Sequence, residues 1–417
     1  MMMEIHKPDN KINIQYLEDH YGKSILPLPI CDNEIRVGSK PMEDLLFYKK
    51  GTSVLKLKES LFETIKYYNL FSSRLIRIDN NKFAIQYCTD GVSINVLPPL
   101  NATFDNINID DIKKMMVHVK TLPGEPLFAV TGIPIKNGIL GALSCSHAIG
   151  DGISLMIFLF AWGRIIEGKD FPLPSPQRLY KGHPVRSDKI DKAFTPPLSE
   201  LSAEIQNRVK LVDVKTFSKK EYFSDEFLNE IKNKAKSENA EYIISNNQII
   251  ISLLLKKYHN QILPDTDTIR IFNPINLRDI HPDIDSMYIG NAFFNSFTEF
   301  TKDEIDNMSA YQIAHRLKVS INHARDVNFV KKIAYLSDYG EIEIKEDMFT
   351  QYPPSGDMDK DIISSNLTHF NDLESLGLGS NIGAILDIGS TAQTGFTMLK
   401  EKSGRIVAQI TSRYPFK

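Results

Sequence analysis

Hydrophobic and polar positions alternate along this chain with the periods of both helices and strands. From Val54 to Tyr68 the apolar residues Leu57, Leu61 and Ile65 recur every three or four positions, and lysines and glutamates occupy the other sides. This spacing predicts an amphipathic helix. The segment Ile153 to Trp162 is apolar on every side, so it predicts a helix that is buried all round.

Strand-like segments surround these helices. Leu75 to Ile85 predicts a hairpin that turns at an Asp-Asn-Asn run. Leu127 to Thr131 and Ile139 to Cys145 read as buried strands, and Asn137-Gly138 between them is a strong signal for a tight hairpin turn. Thr268 to Phe272 is a further strand. Strands and helices alternate irregularly, which predicts an α/β fold with α+β layers in each half.

The middle of the chain lacks this periodicity. Prolines cluster from Phe171 to Pro176 and recur up to Pro197, which is typical of a connection between domains. Regular structure is predicted to resume near Val209. Ser224 is then a candidate N-cap for a helix to about Lys236, and Ser245 opens a helix from Gln248 to Tyr258.

A chain of 417 residues exceeds what one ordinary core organises, so two domains are expected. We predict an N-terminal lobe at 1–170, a crossover at 171–208 and a C-terminal lobe at 209–417.

Composition narrows the class of protein. The net charge is −3 and 42% of the residues are hydrophobic, which favours neither nucleic acid nor anionic membrane as a partner. The longest apolar stretch is far short of the roughly 20 residues of a membrane span. The N-terminus lacks the apolar core of a secretory signal, and three widely spaced cysteines fit no disulfide framework. A cytoplasmic protein is expected. No histidine lies in a metal-ligand spacing, so no metal site is predicted.

The chemistry-bearing motif follows the second buried strand, where His147 stands four residues before Asp151-Gly152. Histidine is well suited to accept a proton near neutral pH. The motif alone also fits a core histidine satisfied by the backbone, and Asp151 could simply cap the next helix. Cys145 or Ser146 as a nucleophile is disfavoured because no nucleophile elbow surrounds them.

This H-x-x-x-D-G run resembles the active-site motif of the chloramphenicol-acetyltransferase-like superfamily, and more of the chain is similar to its BAHD acyltransferase branch than to any other. The matching segments occur in the family's order over nearly the whole chain. They are Leu46–Lys50, Leu57–Leu61, Tyr67–Leu75, Gly91-Val92, Phe223-Ser224, Ile231-Lys232, Asn276–Arg278 and Tyr288–Ala292.

One family signature is missing. BAHD members usually carry D-F-G-W-G near the C-terminus, and the nearest match here, Ser375–Gly379, lacks the aspartate and the tryptophan. Just upstream, Ser364-Ser365-Asn366 is more similar to condensation domains and bacterial relatives. The departure indicates a divergent member, so the substrate classes of plant enzymes do not carry over.

The resemblance implies two chloramphenicol-acetyltransferase-like lobes with a solvent tunnel between them, and a segment near 355–385 that packs with the N-terminal lobe. His147 would be the general base, reached from both ends of the tunnel. Asp151, with Gly152 beside it, would be structural and would pair with Arg278. Further residues are implied in lesser roles: Ser364, Ser365 and Asn366 as oxyanion donors or an ordinary polar turn, and Gly290 and Asn291 as a structural motif.

The activity implied is transfer of an acyl group from a thioester to a hydroxyl or amine of a small specialised metabolite. Acyl-CoA is the expected donor and co-substrate, with no cofactor, in a monomer. Two alternatives stay open at this point. One is a condensation-type enzyme that takes its acyl group from an acyl carrier protein. The other is a non-enzymatic binding module, which the joint retention of His147, Asp151, Gly152 and Arg278 disfavours.

Overall fold

The structure is a computed structural model. It describes residues 4–5, 28–29, 41–79, 82–86, 92–121, 124–175, 216–238, 243–278, 280–281, 284–326, 359–368, 382–387, 394–401 and 404–417.

Two six-stranded sheets form the framework of the described residues. The first sheet has the strand order β1-β6-β7-β8-β3-β13 and the second has the order β11-β10-β12-β14-β15-β9. A small sheet of β2, β5 and β4 stands beside them. The strands are β1 (Glu4–Ile5), β2 (Leu28–Pro29), β3 (Pro41–Lys49), β4 (Arg74–Asp79), β5 (Lys82–Gln86), β6 (Ser93–Val96), β7 (Phe128–Ile135), β8 (Gly138–Ser146), β9 (Phe217–Phe223), β10 (Thr268–Asn276), β11 (Phe293–Thr301), β12 (Asp361–Asn366), β13 (Ile382–Asp387), β14 (Gly395–Lys400) and β15 (Ile406–Ser412).

Helices pack against both sheets. They are α1 (Val54–Tyr67), α2 (Ile109–Met115), α3 (Gly152–Ile166), α4 (Asp225–Glu238), α5 (Asn246–Ile262), α6 (Lys302–Asn307) and α7 (Ala310–Ala324). Short 3₁₀ turns occupy Asn69–Ser72 and Phe104–Asn106. Two mixed sheets covered by helices confirm the predicted α/β fold class.

The elements predicted from periodicity are present. The helix predicted at Val54–Tyr68 is α1, and its N-cap is Ser53, whose side chain accepts from the Lys56 N–H. The Asn137-Gly138 signal overlaps the connection between β7 and β8 by one residue, because the two-residue turn is Lys136-Asn137 and Gly138 already pairs with Ile135 as the first residue of β8. The apolar segment is α3. The predicted caps Ser224 and Ser245 precede α4 and α5, and Ser245 forms a capping box.

The first sheet has two buried faces, which is why β8 is almost continuously buried. Leu143 and Cys145 point to the side covered by α1 and α3. Leu140 and Ala142 point to the side covered by α2. Ser144 and Ser146 continue this second row, since side chains alternate along a strand. The strand therefore presents polar groups toward α2 just before His147.

The chain returns to the first sheet near its C-terminal end. β13 pairs antiparallel with β3, so that Asp387 lies opposite Asp44. The predicted lobe bounds, 1–170 and 209–417, stay a prediction, and most of the predicted crossover at 171–208 lies outside the described residues. So does the poorly matched segment Ser375–Gly379.

Candidate active site

His147 begins a tight turn at the end of β8. The turn is held by Ser146, whose N–H donates to the Leu127 carbonyl at 2.8 Å and whose carbonyl accepts from the Ile149 N–H at 3.2 Å. The Ser146 hydroxyl accepts from the Ala148 N–H at 3.1 Å. The imidazole is half-buried, with its ring centroid 6.1 Å from that of Phe293 on β11. His147, the candidate general base, therefore lies where the two sheets meet.

The Asn291 side chain contacts both the backbone carbonyl and the imidazole ring of His147. Its Nδ2 donates to the His147 carbonyl at 2.7 Å, and its Oδ1 lies 3.2 Å from His147 Nδ1. Rotating the amide by half a turn would place Oδ1 against the carbonyl oxygen, where two acceptors repel. The amide orientation is therefore defined by the backbone contact. A residue predicted only as part of a structural motif touches the candidate base directly.

Asp151 is both a helix cap and half of a buried ion pair. Its Oδ1 accepts from the Ser154 N–H at 2.9 Å, which caps α3 at the residue before Gly152. Arg278 donates from its two terminal nitrogens to the two carboxylate oxygens at 2.8 and 2.9 Å. Both side chains are buried, with 5% and 4% of each residue exposed. The two sequence interpretations of Asp151, cap and partner of Arg278, therefore hold together.

Arg278 and Asp151 organise the Tyr288–Ala292 segment between them. The guanidinium donates to the Tyr288 carbonyl at 3.0 and 2.9 Å and to the Gly290 carbonyl at 3.2 Å. The Ala292 N–H donates to Asp151 Oδ2 at 2.9 Å. Asn291 lies between these anchored residues. The ion pair thus holds the residue that holds His147.

Ser154 is fully buried, and its hydroxyl contacts Asp151, Arg278 and Gly290, which its position in the sequence does not predict. Its hydroxyl accepts from Arg278 at 2.9 Å and from the Gly290 N–H at 3.0 Å, and lies 3.0 Å from Asp151 Oδ1 and 2.9 Å from the Gly290 carbonyl. A Cβ at Gly150 would come within 2.7 Å of Ser154 Cβ. Gly290 has φ +152° and faces the Tyr288 ring. Only glycines allow this close approach.

The three oxyanion candidates are the last three residues of β12, and the chain turns directly after Asn366. Ser364 is 1% exposed, and among the described residues its hydroxyl has no hydrogen-bond partner. Ser365 is half-buried on the opposite face of the strand. Asn366 is exposed, and its Oδ1 accepts from the N–H and the hydroxyl of Thr368. Ser364 shares its face with Ile362, which packs in the core of the second sheet, whereas Ser365 shares its face with Phe293 of β11.

Covalent catalysis has poor support at this turn. Cys145 is 1% exposed, and burial raises the pKa of its thiol well above the ordinary range, so it is a thiol and not a thiolate. The Ser146 hydroxyl already lies 2.7 Å from Thr121 Oγ1.

In the part of the chain that the structure describes, no cluster of three histidine, cysteine, aspartate or glutamate side chains could hold a metal ion. None of the helices in that part of the chain combines the length and the hydropathy that crossing a bilayer requires.

The family model described as Transferase family matches residues 23–374. This chain therefore belongs to the Transferase family. Its predicted resemblance to the BAHD acyltransferases is confirmed by two Arabidopsis thaliana relatives. An uncharacterized acetyltransferase is 21% identical over 295 residues, which cover 60% of each protein. BAHD acyltransferase DCR is 26% identical over 128 residues, covering 28% of this chain and 26% of the relative. The matches thus span less than two thirds of either relative.

Solved structures are similar over nearly the whole chain. TRI101 of F. sporotrichioides, in complex with coenzyme A and T-2, has a TM-score of 0.66 at 15% identity and covers 93% of this chain and 95% of its own. Vinorine synthase has a TM-score of 0.68 at 15% identity, covering 100% of this chain and 96% of its own. At this identity the likeness concerns the fold.

Proposed function

We propose that this protein transfers an acyl group from acyl-CoA to a hydroxyl or amine of a small specialised metabolite, with His147 as general base. The observation that carries the proposal is the contact between Asn291 and His147 beside the buried Asp151–Arg278 pair. The coenzyme A bound in the TRI101 structure supports a CoA donor.

The Asn291 contact selects one tautomer of His147. Because Asn291 Oδ1 is an acceptor, the facing Nδ1 of His147 carries the hydrogen. Nε2 then holds the lone pair, which is the form a general base needs. The same hydrogen bond persists when Nε2 takes up a proton, so the ring does not have to reorient during the reaction.

The reaction then balances without a metal or a prosthetic group, because a thioester is already activated. His147 Nε2 takes the proton of the acceptor hydroxyl or amine as its oxygen or nitrogen attacks the thioester carbonyl. The tetrahedral intermediate collapses with cleavage of the carbon–sulfur bond. The imidazolium returns the proton to the departing thiolate, which releases free CoA and the acylated product. Both halves of the site come from one chain, so a monomer would suffice.

Ser365 is the oxyanion candidate that the strand geometry supports best among the three. Ser364 comes two residues after Ile362, so its side chain lies on the face of β12 that packs in the core of the second sheet. Ser365 lies on the opposite face, which through the register of β12, β10 and β11 is also the face of Phe293, the neighbour of His147. Asn366 ends the strand and is exposed.

We therefore expect Ser365→Ala to lower kcat by about 10–100-fold, somewhat less than the loss of a principal oxyanion donor. Ser364→Ala is the matched control, since it removes a hydroxyl from the core face of the same strand, and it should leave kcat near the wild-type value. Steady-state kinetics and thermal melts of both variants measure rate and stability. A wild-type kcat in Ser365→Ala would reject the assignment.

Asn291→Ala is expected to lower kcat by about 10–100-fold with little change in KM, because the imidazole loses its orientation. Asn291→Asp keeps an acceptor at Nδ1 and adds a negative charge, which favours the imidazolium. The acid limb of its pH–rate profile should therefore move to higher pH. An alanine variant with the wild-type profile would contradict the positioning role.

The function is tested by thiol release from a panel of acyl-CoAs with pooled alcohol and amine acceptors. Release that requires both an acceptor and His147 supports the proposal. A folded enzyme that releases no thiol from any CoA, yet transfers from carrier-bound acyl groups, would reject the CoA donor and favour the condensation-type alternative.

A further inference from the structure

A second histidine lies on the other side of the strand that carries His147. Segment 117–121, which follows α2, runs along the face of the first sheet toward which Ser144 and Ser146 point. Three hydrogen bonds connect alternate residues of this segment to the sheet. They join the Val117 N–H to Thr131 Oγ1 at 3.0 Å, the Val119 N–H to Ser144 Oγ at 3.0 Å, and Thr121 Oγ1 to Ser146 Oγ at 2.7 Å.

His118 locks this segment through an ion pair. Its Nδ1 lies 2.5 Å from Glu43 Oε1 on β3, and its Nε2 lies 2.7 Å from the Lys113 carbonyl. Both partners are acceptors, and a neutral imidazole carries only one N–H. Against a carboxylate on one side and a carbonyl oxygen on the other, only the imidazolium satisfies both contacts. Glu43 is 5% exposed, so the imidazolium also compensates a buried carboxylate, which accepts from Ser144 Oγ at 3.3 Å.

The charges around His118 act in both directions. Its hydrogen bond with Glu43 is the largest influence and raises the pKa of His118 above its ordinary value, whereas partial burial and the Lys113 ammonium on α2 oppose the rise. Lys114 on the same helix is paired with Asp111 at the surface. β7 and β8 contribute the hydroxyls of Thr131 and Ser144.

We propose that His118 and Glu43 are positioning residues for His147 and form a proton-dependent clasp that holds segment 117–121 against the end of β8. The inference rests on the proposed function for its effect on rate. Ser146 is the link, because its hydroxyl contacts Thr121 on one side and the Ala148 N–H of the catalytic turn on the other.

The direction in which pH changes kcat follows from the protonation state of His118 in the closed clasp. Protonated His118 closes the clasp. A group with a raised folded-state pKa contributes stability that is lost as the pH rises through that pKa. The clasp therefore opens on the alkaline side, and kcat falls there. His147 has to be neutral to act as a base, so the acid limb belongs to His147 and the alkaline limb to His118.

The test compares pH profiles of kcat and KM for the wild type, Glu43→Gln and His118→Gln. In Glu43→Gln the alkaline limb should move to lower pH. In His118→Gln it should vanish and leave kcat lowered by about tenfold, while KM stays within about twofold of the wild-type value. His259→Gln, which disrupts the His259–Asp306 pair, is the matched control and should leave both limbs in place. Unchanged limbs in Glu43→Gln and His118→Gln would overturn the proposal.

Amide hydrogen exchange provides a readout that does not depend on activity. The Val119 and Ala148 amides should exchange faster in Glu43→Gln than in the wild type at the same pH, and equal rates would overturn the clasp.

Thr121→Val removes the contact with the Ser146 hydroxyl and leaves the His118–Glu43 ion pair intact, so it is the second test variant if Glu43→Gln does not fold. Its kcat should fall, and a wild-type kcat would overturn the coupling. If the wild type releases no thiol at any pH, the proposed function fails, while the exchange rates still test the clasp.

Discussion

His147→Ala is expected to lower kcat by about 10²–10⁴-fold, the usual contribution of a positioned general base. KM should change little, because the imidazole acts on a proton that moves only in the transition state. The melting temperature should fall by no more than about 2 °C, since the side chain is only half-buried. Thiol release and a thermal melt of the same preparation provide both quantities.

His323→Ala is a suitable control for that experiment. His323 lies exposed in the last turn of α7 and should retain the wild-type kcat. A His147→Ala enzyme that retained most of the acceptor-dependent rate would show that the base lies elsewhere. A variant that instead lost rate and folding together would make His147 a structural histidine, the other interpretation of the motif.

The sequence was most informative where local chemistry decides the conformation. The period of Leu57, Leu61 and Ile65 defines α1, and the Asn137-Gly138 dipeptide locates the β7–β8 hairpin to within one residue of its turn, because both signals act over a few residues. Strand partners are decided by contacts between distant segments. Nothing local in Ile382–Asp387 states that it pairs with β3, and nothing local places β12 between β10 and β14.

The candidate site divides in the same way. His147 and Asp151 could be predicted because their motif is contiguous, and Arg278 could be predicted only through the family resemblance. Ser154 has one sequence signal, its place three residues after an aspartate N-cap. Its contacts with Arg278 and Gly290 require the fold. The clasp of Glu43 and His118 has no sequence signal, because its members lie on β3 and after α2.

Substitution of Asp151 or Arg278 should lower the stability of the fold strongly, whereas substitution of His147 should lower mainly the rate. Asp151 accepts hydrogen bonds from Arg278, from the Ser154 N–H and from the Ala292 N–H. Removing it leaves a buried guanidinium without its counter-charge and removes the cap of α3. The chain offers a matched pair of similar burial on the second sheet. Arg270 contacts Asp361 at 2.5 Å, with side-chain exposures of 9% and 0%.

Asp151→Ala is therefore expected to lower the free energy of unfolding by about 3–5 kcal/mol and also to lower kcat, because the Tyr288–Ala292 segment no longer holds Asn291 against His147. Arg278→Met should have a similar cost, and the double variant should cost much less than the sum, since neither side chain then leaves the other uncompensated. Asp361→Ala should destabilise the protein comparably but leave kcat of the folded enzyme near the wild-type value. Denaturant unfolding and kinetics below the transition measure these quantities. Equal melting temperatures for Asp151→Ala and His147→Ala, with equal losses of rate, would remove the distinction between a structural aspartate and a catalytic histidine.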